Sequence, residues 1–365
     1  MKYKILIHAP NLSTPGGKQT YFASLKDHFK NDIDFFFYGS QGKKESFLKM
    51  PFRVLRDYYK FYRLLRTNDY DLVHLNPSLN PKSFFRDSVF ALICSLAKVK
   101  MTVFWHGWQW GFEKKVVARI VPWFRASYGR ADSMIILGKE FGDQLKTYGF
   151  KNSIYQVTTV ADPIFFKPEN RIVHYSEGAT PQNKLKVLFL SRIERVKGVY
   201  ETIEAFESLK LHNPNIKLTI AGTGSELEAV KNHIKNKSIN DIEFLGWITG
   251  DKKVEAFNTS DIYLLPSYHG EGLPCSILEA MAIGLPIITT NVGGIKDFFE
   301  EGIMGYLVKM KDSDDISHKL QLLINTPENM KTMGKYNLNY AEKRFTPEQV
   351  GARLEDIYSR TIVPE

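Results

Sequence analysis

The chain has 365 residues, of which 43% are hydrophobic and 24% charged. This length favours two domains, and the composition is typical of globular proteins with apolar cores. It excludes a disordered chain, a collagen-like fibre and a small disulfide-stapled domain. The only two cysteines, Cys94 and Cys275, provide no disulfide framework and indicate a reducing compartment.

The chain begins without the long apolar region of a signal peptide. Its longest apolar stretch, residues 89–97, is about half of the ~20 residues that a transmembrane helix needs. We therefore expect a cytoplasmic protein that is soluble but able to attach peripherally to the inner face of the plasma membrane.

The net charge of +9 is unevenly distributed along the chain. Residues 1–170 contain 26 Lys and Arg against 14 Asp and Glu, whereas residues 171–365 contain 23 against 26. Two explanations fit this asymmetry: the first half faces an anionic partner, or its charges lie on solvated helix faces. Composition alone leaves both explanations open.

Short apolar segments alternate with helical patterns along the whole chain. In the first half, strands are predicted at 4–8, 34–38, 71–75, 101–105, 133–137 and 154–160. In the second half, strands are predicted at 186–190, 217–221, 242–245, 262–265 and 286–289. Such alternation is typical of parallel sheets flanked by helices, so we predict the α/β class with two doubly wound domains.

A polar stretch without periodicity, residues 167–184, predicts a linker between these domains. The predicted organisation is an N-terminal domain at 1–166, a C-terminal domain at 185–345 and a last helix at 346–365. That helix is predicted to begin at Thr346 and Pro347, with the threonine as N-cap. Two serine–glutamate pairs, Ser225 with Glu228 and Ser276 with Glu279, fit the capping box at helix starts.

Two motifs follow predicted strands, where doubly wound sheets bind their ligands. Gly16 and Gly17 come after the first strand, where backbone N–H groups approach an anion or the glycines simply close a tight turn. Arg192 and Lys197 follow the first strand of the second half. These two cations would neutralise a diphosphate, and charge pairing with Glu194 is the structural alternative.

The segment 266–286 is the densest in candidate residues. It carries Glu271 in a glycine-flanked loop and Glu279 one turn inside the next predicted helix. A carboxylate in such a loop accepts hydrogen bonds from sugar hydroxyls. The structural alternative for Glu279 is a capping contact to Ser276.

A histidine and two tryptophans follow the strand predicted at 101–105. His106 lies at the carboxyl end of that strand, where it is a candidate for the reaction centre or a structural histidine. Trp108 and Trp110 are candidates for stacking on the sugar rings of an acceptor, or they belong to the core.

Taken together, these residues resemble the glycosyltransferases of family 4, which have the GT-B fold. The resemblance is strongest over 185–310, and its most specific part is the pair Glu271 and Glu279, separated by seven residues. The following segments 280–288 and 290–295 are also similar to the family's pattern, whereas residues 40–100 show little of it.

The resemblance implies two Rossmann-like domains facing across a cleft and retaining transfer of a sugar from a UDP- or GDP-linked donor. The acceptor would be a hydroxyl of a saccharide or lipid-linked molecule in cell-surface polysaccharide biosynthesis, and neither a metal nor another cofactor would be required. The last helix would cross back to the N-terminal domain.

The resemblance also assigns roles to residues of this chain. The implied donor-binding residues are Gly16, Gly17, Arg192, Lys197, Ile248, Glu271, Gly272, Leu273 and Glu279. Among these, Glu279 would hold the ribose, and Glu271 would hold the hydroxyls of the donor sugar. The implied catalytic set is His106, Glu271, Arg192 and Lys197, with Trp108 and Trp110 as acceptor-side candidates.

Residues 43–66 combine eight basic residues with six aromatic ones. Basic, aromatic helices dock on anionic lipid headgroups, and residues 114–130 could extend the same surface. The alternative is an amphipathic helix with its aromatic side chains in the core and its charges in solvent.

Three other functions compete with glycosyl transfer. A catalytically silent GT-B subunit would bind nucleotide or a partner without turnover, and a GT-B epimerase or phosphorylase would use the same fold. Nucleic-acid binding is suggested by the isoelectric point near 9.2. It leaves Glu271 and Glu279 unexplained, and no nucleic-acid module is recognised, so we expect no nucleic-acid partner.

Overall fold

The computed structural model describes residues 2–14, 16–39, 48–170, 184–268 and 272–364, except for the side chains of 115–118. The chain divides into two compact units: residues 1–160 together with 347–365, and residues 161–346. We call them the N-terminal unit and the C-terminal unit. Each contains a parallel sheet of six strands.

The N-terminal unit begins with strands and helices in alternation. Its strands are β1 (Lys4–Pro10), β2 (Asp32–Tyr38), β3 (Leu72–Leu75), β4 (Met101–Trp105), β5 (Ser133–Ile136) and β6 (Ser153–Gln156). Its first five helices are α1 (Gly17–Leu25), α2 (Met50–Thr67), α3 (Pro81–Ala97), α4 (Trp110–Ala126) and α5 (Lys139–Thr147). The strand order is β2-β1-β3-β4-β5-β6, so the topological switch point lies between β1 and β3.

The C-terminal unit repeats this alternation. Its strands are β7 (Leu185–Leu190), β8 (Ile216–Ala221), β9 (Ile242–Gly246), β10 (Ile262–Leu265), β11 (Ile287–Thr290) and β12 (Gly305–Val308). Its helices are α6 (Val199–Lys210), α7 (Leu227–Asn236), α8 (Asp251–Asn258), α9 (Cys275–Ile283), α10 (Ser313–Asn325) and α11 (Pro327–Arg344). The order β12-β11-β10-β7-β8-β9 is the Rossmann order, with its switch point between β7 and β10.

Each of the eleven predicted strands overlaps a strand of the structure. The sequence pattern missed β12, a four-residue edge strand whose two middle side chains are only half-buried. Both predicted capping boxes are wrong, since α7 begins at Leu227 and α9 at Cys275 without a side-chain cap. Most of the predicted linker, residues 171–183, lies outside the described residues.

The last helix, α12 (Pro347–Ile362), belongs to the N-terminal unit. It begins at Pro347, as predicted, and buries Leu354 and Tyr358 completely. The hydroxyl of Tyr358 lies 2.6 Å from Nδ1 of the buried His74 on β3. The Glu355 carboxylate accepts hydrogen bonds from two backbone N–H groups between α1 and β2. The core of the N-terminal unit is therefore completed by the last residues of the chain.

Candidate functional site

At the carboxyl edge of the C-terminal sheet, the turn after β8 packs directly against the loop after β7. Gly222 has φ +134°, and a Cβ at this position would lie 1.9 Å from the carbonyl oxygen of Ser191. Only glycine fits both this dihedral angle and this close approach. The glycine-rich turn at 222–224 thus has a structural role: it fixes the backbone that carries Arg192.

The two candidate phosphate-binding cations after β7 have different environments. Arg192 leaves 59% of its side chain exposed, and its Nη1 donates a hydrogen bond to Oε1 of Glu194 at 2.6 Å. Lys197 ends a short 3₁₀ turn and is only 5% exposed. The charge pairing with Glu194 considered from the sequence is therefore present for Arg192. An exposed guanidinium in such a pair remains accessible to a second anion.

Glu279 lies inside α9, and its side chain is only 3% exposed. Nζ of Lys253, in the first turn of α8, lies 2.6 Å from both carboxylate oxygens, but only Oε1 accepts a hydrogen bond. Oε2 is buried within the same ion pair. Burial raises the pKa of the Glu279 carboxyl, and the Lys253 ammonium opposes that shift. Lys253 therefore holds the Glu279 carboxylate in a fixed position at the site.

Lys253 was not among the site residues predicted from the sequence. The available signal was its position just after the loop at 247–250, which follows β9 at the same carboxyl edge of the sheet. In this loop, Ile248 is half-buried against the core, while Trp247 is 65% exposed.

The loop between β10 and α9 is described only in part. The catalytic candidate Glu271 lies outside the described residues. The carbonyl of Gly272 accepts a hydrogen bond from the backbone N–H of Gly294 at 2.7 Å, and Leu273 is buried in the core. These contacts connect the start of α9 to the segment after β11.

At the switch point of the N-terminal unit, two loops and the start of α1 meet. Gly16 is the N-cap of α1 with φ +156°, and Gly17 is its first residue. Nζ of Lys18 donates a hydrogen bond to the backbone carbonyl of Asn76, which follows β3 and is completely buried. Burial lowers the pKa of Lys18 to about 8.

Asn76 also determines the protonation state of His106. Nδ2 of Asn76 donates to the carbonyl of His8 at 2.9 Å, so Oδ1 is the acceptor that faces Nε2 of His106 at 2.8 Å. Nε2 must therefore carry the imidazole proton, and Nδ1 has a free lone pair. Burial, together with the charge of Lys18, keeps the pKa of His106 well below its usual value. His106 is thus a neutral hydrogen-bond acceptor at Nδ1.

The two tryptophan candidates pack in or against the core of the N-terminal unit, which is the structural alternative considered from the sequence. Trp108 is 3% exposed and stacks on Phe141, with ring centroids 5.0 Å apart and an interplanar angle of 7°. Trp110 is half-buried and packs against the same cluster. The ring faces of Trp108 are occupied, so it is not available for stacking on an acceptor sugar.

The outward side of α2 is unusually apolar. Its exposed apolar side chains are Phe52, Leu55, Tyr59 and Tyr62, and its exposed basic side chains are Arg56, Lys60, Arg63 and Arg66. We call these eight residues the outer face of α2. The alternative explanation, in which the aromatic side chains of this segment lie in the core, holds only in part. Phe61 is fully buried, whereas Phe52, Tyr59 and Tyr62 are exposed. Residues 43–47 of this basic segment lie outside the described residues.

The second basic segment, 114–130, is divided between surface and interior. Trp123 is 39% exposed and donates from its indole to Oγ of Ser88 at 2.7 Å, whereas Phe124 is buried. Within the described part of the chain, no helix is long and apolar enough to cross a membrane. Among the same residues, no cluster of His, Cys, Asp and Glu side chains is arranged to hold a metal ion.

Comparison with known proteins identifies the fold and the class of enzyme that this chain resembles. Residues 173–340 match the family model of glycosyl transferases group 1. An uncharacterized glycosyltransferase of Methanocaldococcus jannaschii is 30% identical over 182 residues, which are 50% of this chain and 46% of that protein. The putative colanic acid biosynthesis glycosyltransferase WcaL of Salmonella typhimurium is 26% identical over 227 residues, 60% of this chain and 54% of that protein. The chain thus spans about half the length of these relatives.

The fold is shared over the whole chain. The structure of Anabaena HepE in complex with UDP and glucose aligns with a TM-score of 0.73 and 17% identity, covering 98% of this chain and 99% of that one. The predicted GT-B fold, with two Rossmann-like sheets, is confirmed. The predicted class of enzyme, a glycosyltransferase, agrees with the family match and with the names of the relatives.

Proposed function

We propose that this chain transfers a sugar from a nucleotide diphosphate-sugar to a hydroxyl of a saccharide or lipid-linked acceptor, in the synthesis of a cell-surface polysaccharide. One observation carries the proposal: the buried Glu279, ion-paired with Lys253, lies at the sheet edge that also carries Arg192 and Lys197. Support comes from the family match over 173–340, from a relative named for colanic acid biosynthesis and from HepE, which binds UDP.

In the donor site, the Glu279 carboxylate accepts a hydrogen bond from a ribose hydroxyl, in addition to its ion pair with Lys253. Arg192 exchanges Glu194 for a phosphate oxygen, and Lys197 adds a second positive charge. Negative charge develops on the departing diphosphate during transfer, so cations already positioned there stabilise the transition state.

We infer that transfer retains the configuration of the sugar, as the family resemblance implies. The bond between the anomeric carbon and the diphosphate oxygen breaks, the acceptor oxygen attacks from the same face, and its proton passes to the departing phosphate. Glu271 and the backbone of Gly272 and Leu273 hold the donor sugar's hydroxyls. His106, as a neutral acceptor at Nδ1, receives a hydrogen bond from a sugar hydroxyl. The two side-chain cations carry the charge neutralisation without a metal ion.

Thermal unfolding with UDP, GDP, ADP and dTDP, each with and without EDTA, tests the donor site. A nucleotide at 100 times its dissociation constant adds about 2.7 kcal/mol of stability. We expect one nucleotide to raise the midpoint regardless of EDTA and Arg192→Ala to abolish the shift. Arg195→Ala is the matched control. Arg195 lies close to Arg192 in the chain, but its guanidinium stacks on the ring of Tyr200, 4.4 Å from the ring centroid. If no nucleotide shifts the midpoint, the silent GT-B subunit becomes the better explanation.

We also propose that the outer face of α2 attaches the protein to anionic membranes. Its apolar side chains lie in solvent and are flanked by arginines and a lysine, each worth about 1 kcal/mol near an anionic surface. Flotation with anionic and neutral vesicles tests this. We expect enrichment on anionic vesicles that Phe52→Ser with Leu55→Ser removes, while Leu211→Ser, an exposed leucine of the C-terminal unit, has no effect. Equal recovery on both kinds of vesicle would disprove attachment.

A further inference from the structure

A cavity of about 430 Å³ lies in the N-terminal unit, next to the carboxyl ends of β1 and β2 and beside α2 and α3. Three cationic side chains line it: Arg53, Lys82 and Arg86. Among the described residues of its lining there is no acidic side chain. Tyr38, Tyr58, Asn11 and Gln19 contribute further polar groups to its wall. The cavity is therefore a concave, positively charged surface.

The carboxylates that pair with the two arginines lie outside the lining. Nε and Nη2 of Arg86 donate to the two oxygens of Asp87 at 2.5 and 2.8 Å, and Asp87 is completely buried. Nη1 of Arg53 donates to Oδ2 of Asp57 at 3.1 Å. Although burial opposes ionisation, Arg86 keeps the pKa of Asp87 below its usual value. Both aspartates thus orient guanidinium groups without entering the cavity.

The lining is also held rigidly. The guanidinium of Arg86 lies 4.3 Å from the centroid of the Tyr38 ring, and its Nη2 donates to the tyrosine hydroxyl at 3.1 Å. The hydroxyl of Tyr58 donates to the backbone carbonyl of Arg86 at 3.1 Å. Lys82 is exposed and lies in the first turn of α3, whose N-terminal end itself favours negative charge. The two guanidinium groups are thus in place before any ligand binds.

We propose that this cavity binds an anionic group of the acceptor, a phosphate ester in particular. That the anionic group belongs to an acceptor rests on the proposed glycosyl transfer, whereas the binding of an anion in this cavity does not depend on that proposal. Guanidinium N–H groups that the two aspartates leave unused donate to phosphate oxygens, and Lys82 adds a positive charge for which the described lining holds no carboxylate. The cavity replaces Trp108 as the candidate acceptor site in this unit.

Calorimetric titration of the full chain with glycerol 3-phosphate, without nucleotide and at low ionic strength, tests the cavity. We expect Arg53→Gln with Lys82→Gln to weaken binding at least about tenfold, since hydrogen bonds to charged groups are lost. Lys26→Gln with Lys151→Gln removes the same charge from exposed positions of the N-terminal unit outside the cavity and should change affinity less than about twofold. If the double variant fails to fold, Lys82→Gln alone alters only an exposed side chain and should still weaken binding several-fold.

Two results would overturn the proposal: no binding of glycerol 3-phosphate, or equal weakening in the cavity variant and the control. A short-chain phosphatidic acid distinguishes the source of the phosphate. Tighter binding of this lipid than of glycerol 3-phosphate indicates a lipid-linked acceptor, and equal binding indicates a soluble one. Titration of the same proteins with UDP keeps the two proposals separate, because the cavity variant should bind UDP as the unaltered chain does.

Discussion

Oδ1 of Asn76 lies 2.8 Å from Nε2 of His106, and the hydrogen bond from Nδ2 of Asn76 to the carbonyl of His8 fixes which atom of the amide faces the ring. A single buried amide therefore selects one tautomer of the histidine. This contact joins the ends of β3 and β4, next to the switch point of the N-terminal sheet.

Replacement of Asn76 by aspartate should change the charge state of His106. A carboxylate at 2.8 Å favours the imidazolium, so the pKa of His106 should rise and Nδ1 should lose its accepting lone pair. We expect a decrease in kcat/KM of about 10- to 100-fold. Nitrogen NMR of the imidazole reports the tautomer and its titration directly. A neutral His106 at pH 6 in the Asn76→Asp variant would contradict this account.

Lys253 is expected to keep Glu279 ionised. Burial already raises the pKa of Glu279, and Lys253→Met should raise it further, so the neutral form becomes populated at higher pH. Affinity for the nucleotide should then decrease as pH falls. In this variant, the decrease should begin at a higher pH than in the unaltered chain. Lys253→Arg keeps the charge and serves as the control. Nucleotide titrations between pH 5 and 8 measure the effect, and parallel pH profiles for all three proteins would exclude it.

Lys18 should make stability depend on pH in the alkaline range. Burial lowers its pKa to about 8 in the folded protein, from the ordinary value of 10.5. Between these values the unfolded chain binds more protons, so this residue's contribution to the free energy of unfolding increases as pH rises from 8 to 10. Urea unfolding of the unaltered chain and of Lys18→Met measures it. The stability of the unaltered chain relative to the variant should increase over that interval, and a constant difference would refute the prediction.

Gly222→Ala should destabilise the C-terminal unit by about 2–4 kcal/mol, because the new Cβ meets the Ser191 carbonyl and φ is positive. Gly246→Ala is the control, since Gly246 also has positive φ (+65°) but has no atom within 4 Å of the added Cβ. We expect about 1 kcal/mol there. Denaturant titration measures both, and equal losses would show that the close contact is unimportant.

The two sheets were predictable because their central strands are buried on both faces and read as short apolar runs, as in Ile5–Ile7 and Ile262–Leu265. Gly222 follows a predicted strand directly, but its approach to Ser191 follows only from the packing of β7 beside β8. The edge strand β12 lacks the fully buried pattern and was missed.

The candidate site was predictable where a residue follows directly after a strand, as Arg192 and His106 do. The partners of those residues were not. Lys253 contacts Glu279, which lies 26 positions away in the chain, and Asn76 contacts His106, which lies 30 positions away. The local sequence pattern does not relate the members of either pair. The cavity beside α2 escaped prediction for the same reason: Arg53 and Arg86 come from separate helices, and a periodic pattern shows which face of a helix is apolar but not which side chains meet.

The return of α12 to the N-terminal unit has a consequence for synthesis of the chain on the ribosome. The C-terminal unit is one continuous segment, 161–346, whereas the N-terminal unit needs residues from both ends. Leu354 and Tyr358, which are fully buried there, are translated after the whole of the C-terminal unit. The C-terminal unit can therefore complete its core first, and the N-terminal unit must keep an apolar gap until α12 has been translated.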